Sequence, residues 1–391
     1  RLMADWIIAG EPPVDLWPLD IRRFGPQHAS ATFLDERMRE VNSSYYPMRA
    51  HDAEMASGRP MRVSPLYPLL KAGGAVFGSK FGWERPNYFA ANGADVTGRV
   101  RAEHQAARSS AILIDQSSFA KLEVSGPGAL AALQRLAVNE LDRPVGAIVY
   151  TQLCNGRGGI EADLTITRLA DDRFYIVTGT GFAVRDFGHV RGHLPADGTV
   201  AATDVTSAYA VLNLAGPNAR KVLAEIAEDD VSDRALPYMT ARTIRLGMAP
   251  VLVSRLTFIG ELGYELHAPS EYAARLYEQL SAAGAKHGLR NAGYRVLDTL
   301  RLEKANKVWA ADLTPETDPY SAGLGFCVRL DKGEFIGREA LLRIKTDGPA
   351  RRFVTFALAP DIHLRGGEAI LADGKVVGQL TSGGSGHAVG K

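Results

Sequence analysis

The chain has 391 residues, of which 46% are hydrophobic and 23% are charged, and its formal net charge is +1. The length favours two or three domains, and the composition is that of an ordinary globular protein. The balanced charge offers no electrostatic attraction for nucleic acid or a membrane surface, and no apolar run is long enough to span a bilayer.

The two cysteines, Cys154 and Cys327, lie far apart and match no zinc or redox spacing. They are therefore expected to be small buried residues of an intracellular protein, and no metal site is predicted. Both ends of the sequence are expected to be internal to a longer protein. Arg1 begins neither an initiator sequence nor a signal peptide, and the last residues resemble a glycine-rich turn.

Residues 1–95 are rich in Pro, Tyr, Arg and Gly and carry little periodic hydrophobicity. Helices are predicted near Met3–Ala9 and Ala29–Asn42, and the rest is expected to be irregular structure that packs on a neighbouring domain. The small, turn-forming residues Ala91–Ala94 predict a domain boundary.

From about residue 97 the pattern is mixed α and β and contains an internal repeat. Two short strands, Leu122–Ser125 and Ala210–Leu214, each lead through a Gly-Pro pair into a helix. The helices are predicted at Ala129–Leu136 and Ala219–Leu223. Because the unit returns after about 90 residues, an internal duplication of an α+β unit is predicted.

The later elements are a strand, a helix and two C-terminal strands, predicted at Asp172–Thr178, Glu271–Ala283, Phe353–Leu358 and Lys375–Leu380. Ser270 is the expected N-cap of the helix, and Gly284 or Gly288 its expected end. The predicted fold class is α+β: a duplicated mixed α/β domain, followed by a truncated domain of the β-barrel type.

The sharpest local feature is a glycine turn, Asn155–Gly159, followed by the alternating stretch Ile160–Thr167. One side of this stretch is apolar, and the other carries Glu161, Asp163 and two threonines. The pattern alone indicates a half-buried strand with a solvated acidic face. It also admits a site where glycines let a flat ligand approach the backbone, with a carboxylate aimed at the ligand.

Two further stretches place charged residues in ordered settings. Gly260–Leu266 is predicted to be a turn that enters a strand containing Glu265, and Arg295–Ala305 is predicted to be an amphipathic helix with several cations. Taken alone, the first stretch is explained as a strand with an exposed carboxylate. The second is explained as a helix with a solvated face and i,i+4 charge pairs.

Together these stretches resemble one family, the aminomethyltransferases or glycine-cleavage T-proteins, from about residue 97 to the end. The resemblance implies the folate-binding fold of that family. The matching motifs, in the order that the family shows, are Asp115–Phe119, Gly158–Leu164, Gly216-Pro217, Gly260–Glu265, Asp298–Glu303, and Ala322–Phe326 with Phe335–Arg338.

The first 95 residues narrow the resemblance to dimethylglycine dehydrogenase, sarcosine dehydrogenase and their bacterial relatives. Asp15–Phe24 resembles the end of a glycine-oxidase-like FAD domain, and Tyr67–Asn87 resembles the linker domain that follows it. The resemblance implies an FAD-domain remnant, a central linker domain, a folate-binding domain and the start of a C-terminal β-domain, at residues 1–25, 26–93, 94–345 and 346–391.

The same resemblance implies an enzyme that works in two parts. An FAD half oxidises an N-methyl amine, and the T-protein-like half presents tetrahydrofolate, which captures the carbon as 5,10-methylene-tetrahydrofolate. FAD binding is expected outside this chain, because Gly73–Gly78 does not open a βαβ unit. The protein is expected in the cytoplasm, or in the mitochondrial matrix of a eukaryote, with an N-methylated glycine as its small-molecule substrate.

The resemblance also assigns roles to single residues. Asp163 is the implied catalytic residue, since the family places a carboxylate there beside N10 of the folate. Phe258 stands where many T-proteins have a tyrosine, and Arg295 is displaced by two residues from the family's arginine for the folate tail. The implied folate contacts are Tyr150, Gly159, Phe258, Glu265 and Arg295.

Two other functions fit the same residues. The chain could be a folate-binding or docking module without transfer chemistry, or a flavin-independent demethylase that uses tetrahydrofolate. Asp163 favours transfer chemistry over the first alternative, and the linker-like segment favours a flavoenzyme over the second.

Overall fold

The computed structural model describes residues 1–10, 12–47, 53–90, 95–359, 361–362 and 364–390. The predicted boundary at Ala91–Ala94 lies outside these residues. The helices are α1 (Leu2–Ala9), α2 (Ala31–Ser43), α3 (Tyr67–Ala72), α4 (Val96–Ser109), α5 (Ala129–Leu136), α6 (Ala183–Gly192), α7 (Ala219–Ala224), α8 (Ala273–Ala285), α9 (Tyr294–Leu302) and α10 (Arg338–Asp347). Within the same residues, no helix combines the length and hydropathy needed to cross a bilayer.

The strands form two large sheets and two hairpins. In chain order they are β1 (Ala75–Lys80), β2 (Trp83–Phe89), β3 (Ala111–Asp115), β4 (Ala120–Ser125), β5 (Ile148–Cys154), β6 (Ile160–Ala170), β7 (Arg173–Thr178), β8 (Ala201–Asp204), β9 (Tyr209–Ala215), β10 (Thr240–Leu246), β11 (Ala249–Arg255), β12 (Gly263–Pro269), β13 (Leu289–Asn291), β14 (Ala369–Ala372) and β15 (Lys375–Gln379).

The strand order of the two large sheets confirms the predicted duplication. The first sheet has the order β5-β6-β7-β4-β8, and the second has β10-β11-β12-β9-β3-β13. The strands β4 to β8 can be numbered 1 to 5 in the first repeat, and the strands β9 to β13 can be numbered 1 to 5 in the second. In this numbering the strands of both repeats follow the order 2-3-4-1-5 across their sheets. The second sheet differs only in that β3 lies between its first and fifth strands, where it pairs in parallel with β13.

Glycine is required at the turn that starts each repeat. Gly126 and Gly216 follow β4 and β9 with φ of 128° and 122°, a conformation that residues with a Cβ rarely adopt. A Cβ on Gly126 would also collide with the carbonyl of Thr199, and one on Gly216 with that of Ser110. Two matching turns in matching places explain why the Gly-Pro pair occurs twice in the sequence.

Each large sheet buries one apolar face in a core of its own. The first core contains Leu164 and Ile176, packed with α5. The second contains Tyr264 and Leu266, packed with α7 and α8. Because side chains alternate along a strand, each sheet has a second, more polar face on its other side. The Tyr175 hydroxyl of the first sheet hydrogen-bonds Nδ1 of His267 in the second at 3.1 Å, so these polar faces are turned toward each other.

The predicted start of the helix at Glu271–Ala283, with its Ser270 cap, is wrong, whereas one of its two predicted ends is confirmed. The helix predicted from Glu271 begins at Ala273, and the Ser270 hydroxyl donates to the Ser207 carbonyl at 2.7 Å instead of capping that helix. Gly284 lies inside the helix, so of the two predicted ends only Gly288, with φ of 73°, follows it.

The predicted strand Phe353–Leu358 does not form. The segment is largely exposed, and the Phe353 amide donates to the Ser321 carbonyl at 2.9 Å, outside any sheet. A segment with high β-propensity forms a strand only when it pairs with another strand. In the part of the chain that the structure describes, no strand pairs with Phe353–Leu358. The predicted Lys375–Leu380 strand is confirmed as β15, which pairs with β14.

Trp17 fastens the N-terminal segment to the duplicated domain. Its ring meets Phe182 edge-on at 5.6 Å and Trp309 at 5.2 Å, and 9% of the residue stays exposed. These contacts bury the large apolar ring of Trp17. The ring dominates the packing of the N-terminal segment, which otherwise consists of short helices and turns.

We expect Trp17→Ala to lower the free energy of unfolding by about 3 kcal/mol, because it leaves a cavity beside Phe182 and Trp309. Limited proteolysis should then cut the first 25 residues before the rest. Leu19→Ala is the matched control, since Leu19 is 83% exposed and should lose almost nothing. Equal urea midpoints for both variants would contradict the docking role of Trp17.

Candidate functional site

The site lies where the polar faces of the two sheets meet. In β6, Ala162 and Leu164 point into the core of the first sheet, so Asp163 between them points the other way. In β12, Tyr264 and Leu266 point into the core of the second sheet, so Glu265 also faces away from its core. Two residues that are about 100 positions apart thus come from opposite sides to one polar interior.

Asp163 carries a carboxyl of raised pKa in this interior. The Gln152 amide on the paired strand β5 donates to its Oδ1 at 2.8 Å. Burial raises the pKa of Asp163 to about 6, against the lowering effects of hydrogen bonds from Gln152 and Tyr150 and the charge of Lys307. The residue nevertheless keeps part of its surface accessible, so solvent or a ligand can reach it.

Tyr150 lies two residues before Gln152 on the same strand. Its carbonyl accepts a hydrogen bond from the Asn139 amide at 2.9 Å, which holds this part of β5 in place. Burial, and then the neighbouring charge of Asp163, raise the pKa of the Tyr150 phenol well above its ordinary value. The phenol therefore stays protonated and can donate toward Asp163.

Glu265 is held by a chain of side chains that crosses between the sheets. Nε2 of His267 lies 3.4 Å from Oε2 of Glu265, and Tyr175 contacts the other ring nitrogen. An ionised carboxylate only accepts hydrogen bonds, so Nε2 must carry the proton in this arrangement. In a neutral imidazole, Nδ1 then accepts the hydroxyl proton of Tyr175, which fixes the ring and with it one oxygen of Glu265.

The structure gives the other three predicted contacts distinct surroundings. A Cβ on Gly159 would collide with the Pro315 carbonyl. The group that approaches this glycine closely is therefore the backbone of Pro315 and not a ligand. Phe258 is 39% exposed, and its carbonyl accepts from the Asn306 amide. Arg295 lies in α9 with its guanidinium 5.5 Å from the centre of the Tyr88 ring. Their roles in folate binding stay predictions.

Four polar residues of this interior were not predicted from the sequence: Gln152, Tyr175, His267 and Lys121. His267 follows Glu265 by two residues on the same strand face, so strand alternation could have identified it. Gln152 becomes visible only through strand pairing. Lys121 is fully buried, with Nζ donating to the Ser117 carbonyl at 2.7 Å, and burial lowers its pKa to about 7.

Both cysteines are free and buried, as expected. In the described residues, no group of three or more His, Cys, Asp and Glu side chains is placed to hold a metal ion.

Three family profiles together match most of the chain. The FAD dependent oxidoreductase central domain matches residues 9–64. The GCVT N-terminal domain matches residues 66–332, and the glycine cleavage T-protein C-terminal barrel domain matches residues 351–391.

Curated relatives cover the whole length of the chain. A 4-methylaminobutanoate oxidase (formaldehyde-forming) of Paenarthrobacter nicotinovorans is 37% identical over 100% of this chain and 49% of its own length. The mitochondrial pyruvate dehydrogenase phosphatase regulatory subunit of Mus musculus is 36% identical, over 98% and 46%. The mitochondrial sarcosine dehydrogenase of Homo sapiens is 34% identical, over 100% and 48%. The chain thus spans about half the length of these relatives.

A solved structure supports the fold. The glycine cleavage system aminomethyltransferase T of Bartonella henselae superimposes with a TM-score of 0.72 at 28% identity, over 84% of this chain and 87% of that one. The likeness supports the mixed α/β fold described above.

The raised pKa of Asp163 predicts how stability depends on pH. The folded state holds this proton up to about pH 6 and the unfolded chain releases it near 3.8, so the native state loses stability as pH rises through this range. Asp163→Asn keeps the bond from Gln152 and removes the buried charge, and should add about 2 kcal/mol at about pH 8 but nothing near pH 4.

Urea unfolding at both pH values checks this. Asp197→Asn is the control of opposite sign, because hydrogen bonds from Thr199 lower the pKa of that exposed aspartate. If the Asp163→Asn variant is no more stable than the unaltered chain at the higher pH, the claim that the ionised Asp163 is buried is wrong.

Proposed function

Because the chain belongs to the glycine cleavage T-protein family and carries the FAD dependent oxidoreductase central domain ahead of it, we propose that it is the tetrahydrofolate-binding part of an N-methyl amine dehydrogenase. It would transfer the oxidised methyl carbon of dimethylglycine, sarcosine or a similar amine to tetrahydrofolate. The observation that carries this proposal is Asp163, a partly accessible carboxyl among polar side chains whose pKa burial raises to about 6.

The polar residues around Asp163 and Glu265 fit the chemistry of a reduced folate. The carboxylate of Glu265 offers two acceptor oxygens in a fixed orientation, which suits the two donors on the 2-amino/N3–H edge of a pterin. Tyr150 supplies an aromatic ring beside Asp163 that could pack on a flat heterocycle. We assign Asp163 to N10 and the remaining predicted contacts, Gly159, Phe258 and Arg295, to the same ligand.

When bound, tetrahydrofolate would supply the amine nitrogens that take up the one-carbon unit. Asp163 is largely ionised above about pH 6 and can accept the proton that such a nitrogen must lose. Gln152 and Tyr150 hold the carboxylate by hydrogen bonds, and its remaining lone pairs can take up the incoming proton. A ligand fixed between the two sheets would also lose the entropic barrier to meeting its carbon donor.

The flavin-dependent step is assigned to the remainder of a longer protein. Relatives named oxidase or dehydrogenase are about twice as long as this chain. We accordingly propose an FAD-domain remnant at 1–25, a central domain at 26–93, the folate domain at 94–345 and a C-terminal β-domain from 346. A mitochondrial location, which the names of two relatives include, is proposed only if the source is eukaryotic.

A second candidate is a folate-binding module without transfer chemistry. It is favoured by one relative of nearly equal similarity, which is named as a regulatory subunit and not as an oxidoreductase. The two candidates differ in the role of Asp163, because a module that only binds folate does not require a general base. A flavin-independent demethylase is disfavoured by the match to the FAD dependent oxidoreductase central domain.

The first test titrates the chain with 5-formyltetrahydrofolate and measures its acceleration of formaldehyde capture by tetrahydrofolate. We expect Glu265→Gln to weaken binding about tenfold or more, because a charge-assisted pair of bonds is lost. Asp163→Asn should bind within a few-fold of the unaltered chain but lose about a hundredfold of the acceleration. The acceleration should also fall as pH drops below about 6.

Asp186→Asn is the matched control, since burial raises the pKa of Asp186 to about 6 as well, while its carboxylate is bound to Thr178 on another element. Binding without acceleration in the unaltered chain would support the regulatory module instead. If neither Asp163→Asn nor Glu265→Gln changes binding or capture, the site assignment is wrong.

A separate prediction concerns flavin. The glycine turn Gly126–Gly128 joins β4 to α5, but β4 pairs antiparallel with both β7 and β8 and so is not part of a parallel βαβ unit that binds a dinucleotide. The purified chain should therefore show no bound-flavin absorbance. Flavin that copurifies in stoichiometric amount would contradict the assignment of FAD to another part of the protein.

A further inference from the structure

Residues 256–262 form the loop that joins β11 to β12, and this loop contains Phe258. Two consecutive carbonyls of the loop accept hydrogen bonds from side chains that are distant in the sequence. The Asn306 amide donates to the Phe258 carbonyl at 2.5 Å, and Nη1 of Arg108 donates to the Ile259 carbonyl at 2.8 Å. The orientation of two successive peptide groups is therefore set from outside the loop.

Arg108, on α4, connects this loop to the end of α9 with all of its N–H groups. Nη1 also donates to Oε1 of Glu261 at 2.8 Å. Nη2 donates to the Leu300 carbonyl at 3.1 Å and to Oε2 of Glu303 at 3.0 Å, and Nε donates to the same Oε2 at 3.2 Å. A guanidinium carries five N–H donors in one rigid plane, so these five bonds leave the loop little freedom to move against α4 and α9.

The carboxylate that anchors Arg108 is itself held firmly. The Glu303 side chain is only 4% exposed, and its other oxygen, Oε1, accepts from the Ala388 backbone amide at 2.8 Å. Charge-assisted bonds of this kind are stronger than bonds between neutral groups, and a buried pair is little weakened by solvent. Arg108 thus transmits the position of a rigid part of the fold to the loop.

The loop keeps one aromatic ring accessible. Phe258 is 39% exposed, whereas the next residue, Ile259, is 3% exposed and packs in a core with residues of α4 and α9. Because burial does not fix the direction of an exposed ring, the backbone that carries it has to do so. A ring that is already oriented can pack on a flat ligand at a smaller entropic cost than a mobile one.

We propose that Arg108 is a positioning residue of the folate site, an inference that rests on the proposed function. Together with Asn306 it holds the loop so that the ring of Phe258 faces a flat part of the bound folate. In this role Arg108 acts on the ligand only through Phe258. The affinity for folate should therefore depend on Arg108 only while the ring is present.

Calorimetric titration of the whole chain with 5-formyltetrahydrofolate tests this in a double-mutant cycle. Arg108→Lys keeps a positive charge beside Glu303, but three donors on one nitrogen do not bridge the loop and α9 together. Asn306→Ala releases the neighbouring carbonyl and leaves the buried ion pair intact, so it keeps the test decisive if Arg108→Lys folds poorly. Each substitution is made in the unaltered chain and in Phe258→Ala.

Arg59→Lys is the matched control. Arg59 also joins a glutamate, Glu84, to backbone carbonyls, those of Met55 and Phe77, but all of these partners precede residue 90. Urea unfolding should show a loss of stability for both arginine variants. Only Arg108→Lys should change the affinity for folate.

We expect Arg108→Lys and Asn306→Ala to weaken binding about fivefold or more in the unaltered chain, and not at all once Phe258 is replaced by alanine. Without ligand, hydrogen exchange of the amides in residues 256–262 should be faster in both variants than in the unaltered chain or in Arg59→Lys.

Unchanged affinity in the unaltered background, or a loss of the same size in both backgrounds, would overturn the inference, because Arg108 would then not act through Phe258. Either result leaves the folate proposal intact. An unaltered chain that binds no folate would instead refute the proposed function. In that case faster exchange of the loop amides retains the positioning of the loop by Arg108 and Asn306, and unchanged exchange refutes it as well.

Discussion

The hydrogen bond between Tyr175 and His267 is the contact on which the site depends. Each large sheet satisfies its apolar face with its own helices, and its other face is too polar to form a core. The two polar faces can lie together only if their groups find partners across the gap, because a buried polar group without a partner is costly. Tyr175 and His267 supply such a pair and hold Glu265 in the same chain.

The duplication gives this contact a particular form. Three residues before the matching turns at Gly126 and Gly216 lie Glu123 and Asn213, which are therefore equivalent in the two repeats. Glu123 pairs with Tyr175, and Asn213 pairs with Glu265, so Tyr175 occupies the position in the first repeat that Glu265 occupies in the second. The same position therefore holds the phenol of Tyr175 in the first repeat and the carboxylate of Glu265 in the second. His267 contacts both groups. The duplicated frame stays symmetric while its polar interior has become asymmetric, as binding of an asymmetric ligand requires.

Sequence patterns predicted the elements that depend on local rules. The helix Ala129–Leu136 is confirmed at both ends, and the alternation of Ile160–Thr167 is confirmed in β6 for its apolar residues. Where a distant partner decides, the predictions were wrong. Ser270 bonds Ser207 instead of its own helix, and Phe353–Leu358 has no strand beside it. Thr167, predicted on the solvated face, is buried because the second sheet covers that face.

The sequence by itself determined the family, the repeat and the residue types of the site, because glycine turns, strand alternation and motif order are written in local spacing. It could not determine that Asp163 lies in a polar interior, that Gln152 holds it, or that Tyr175 and His267 join the two sheets beside Glu265. Those properties depend on which strands pair and which faces oppose, and the pKa of a carboxyl depends on what surrounds it in space. Only the tertiary structure, by bringing two polar sheet faces together, turned an acidic strand pattern into a candidate base in a polar interior.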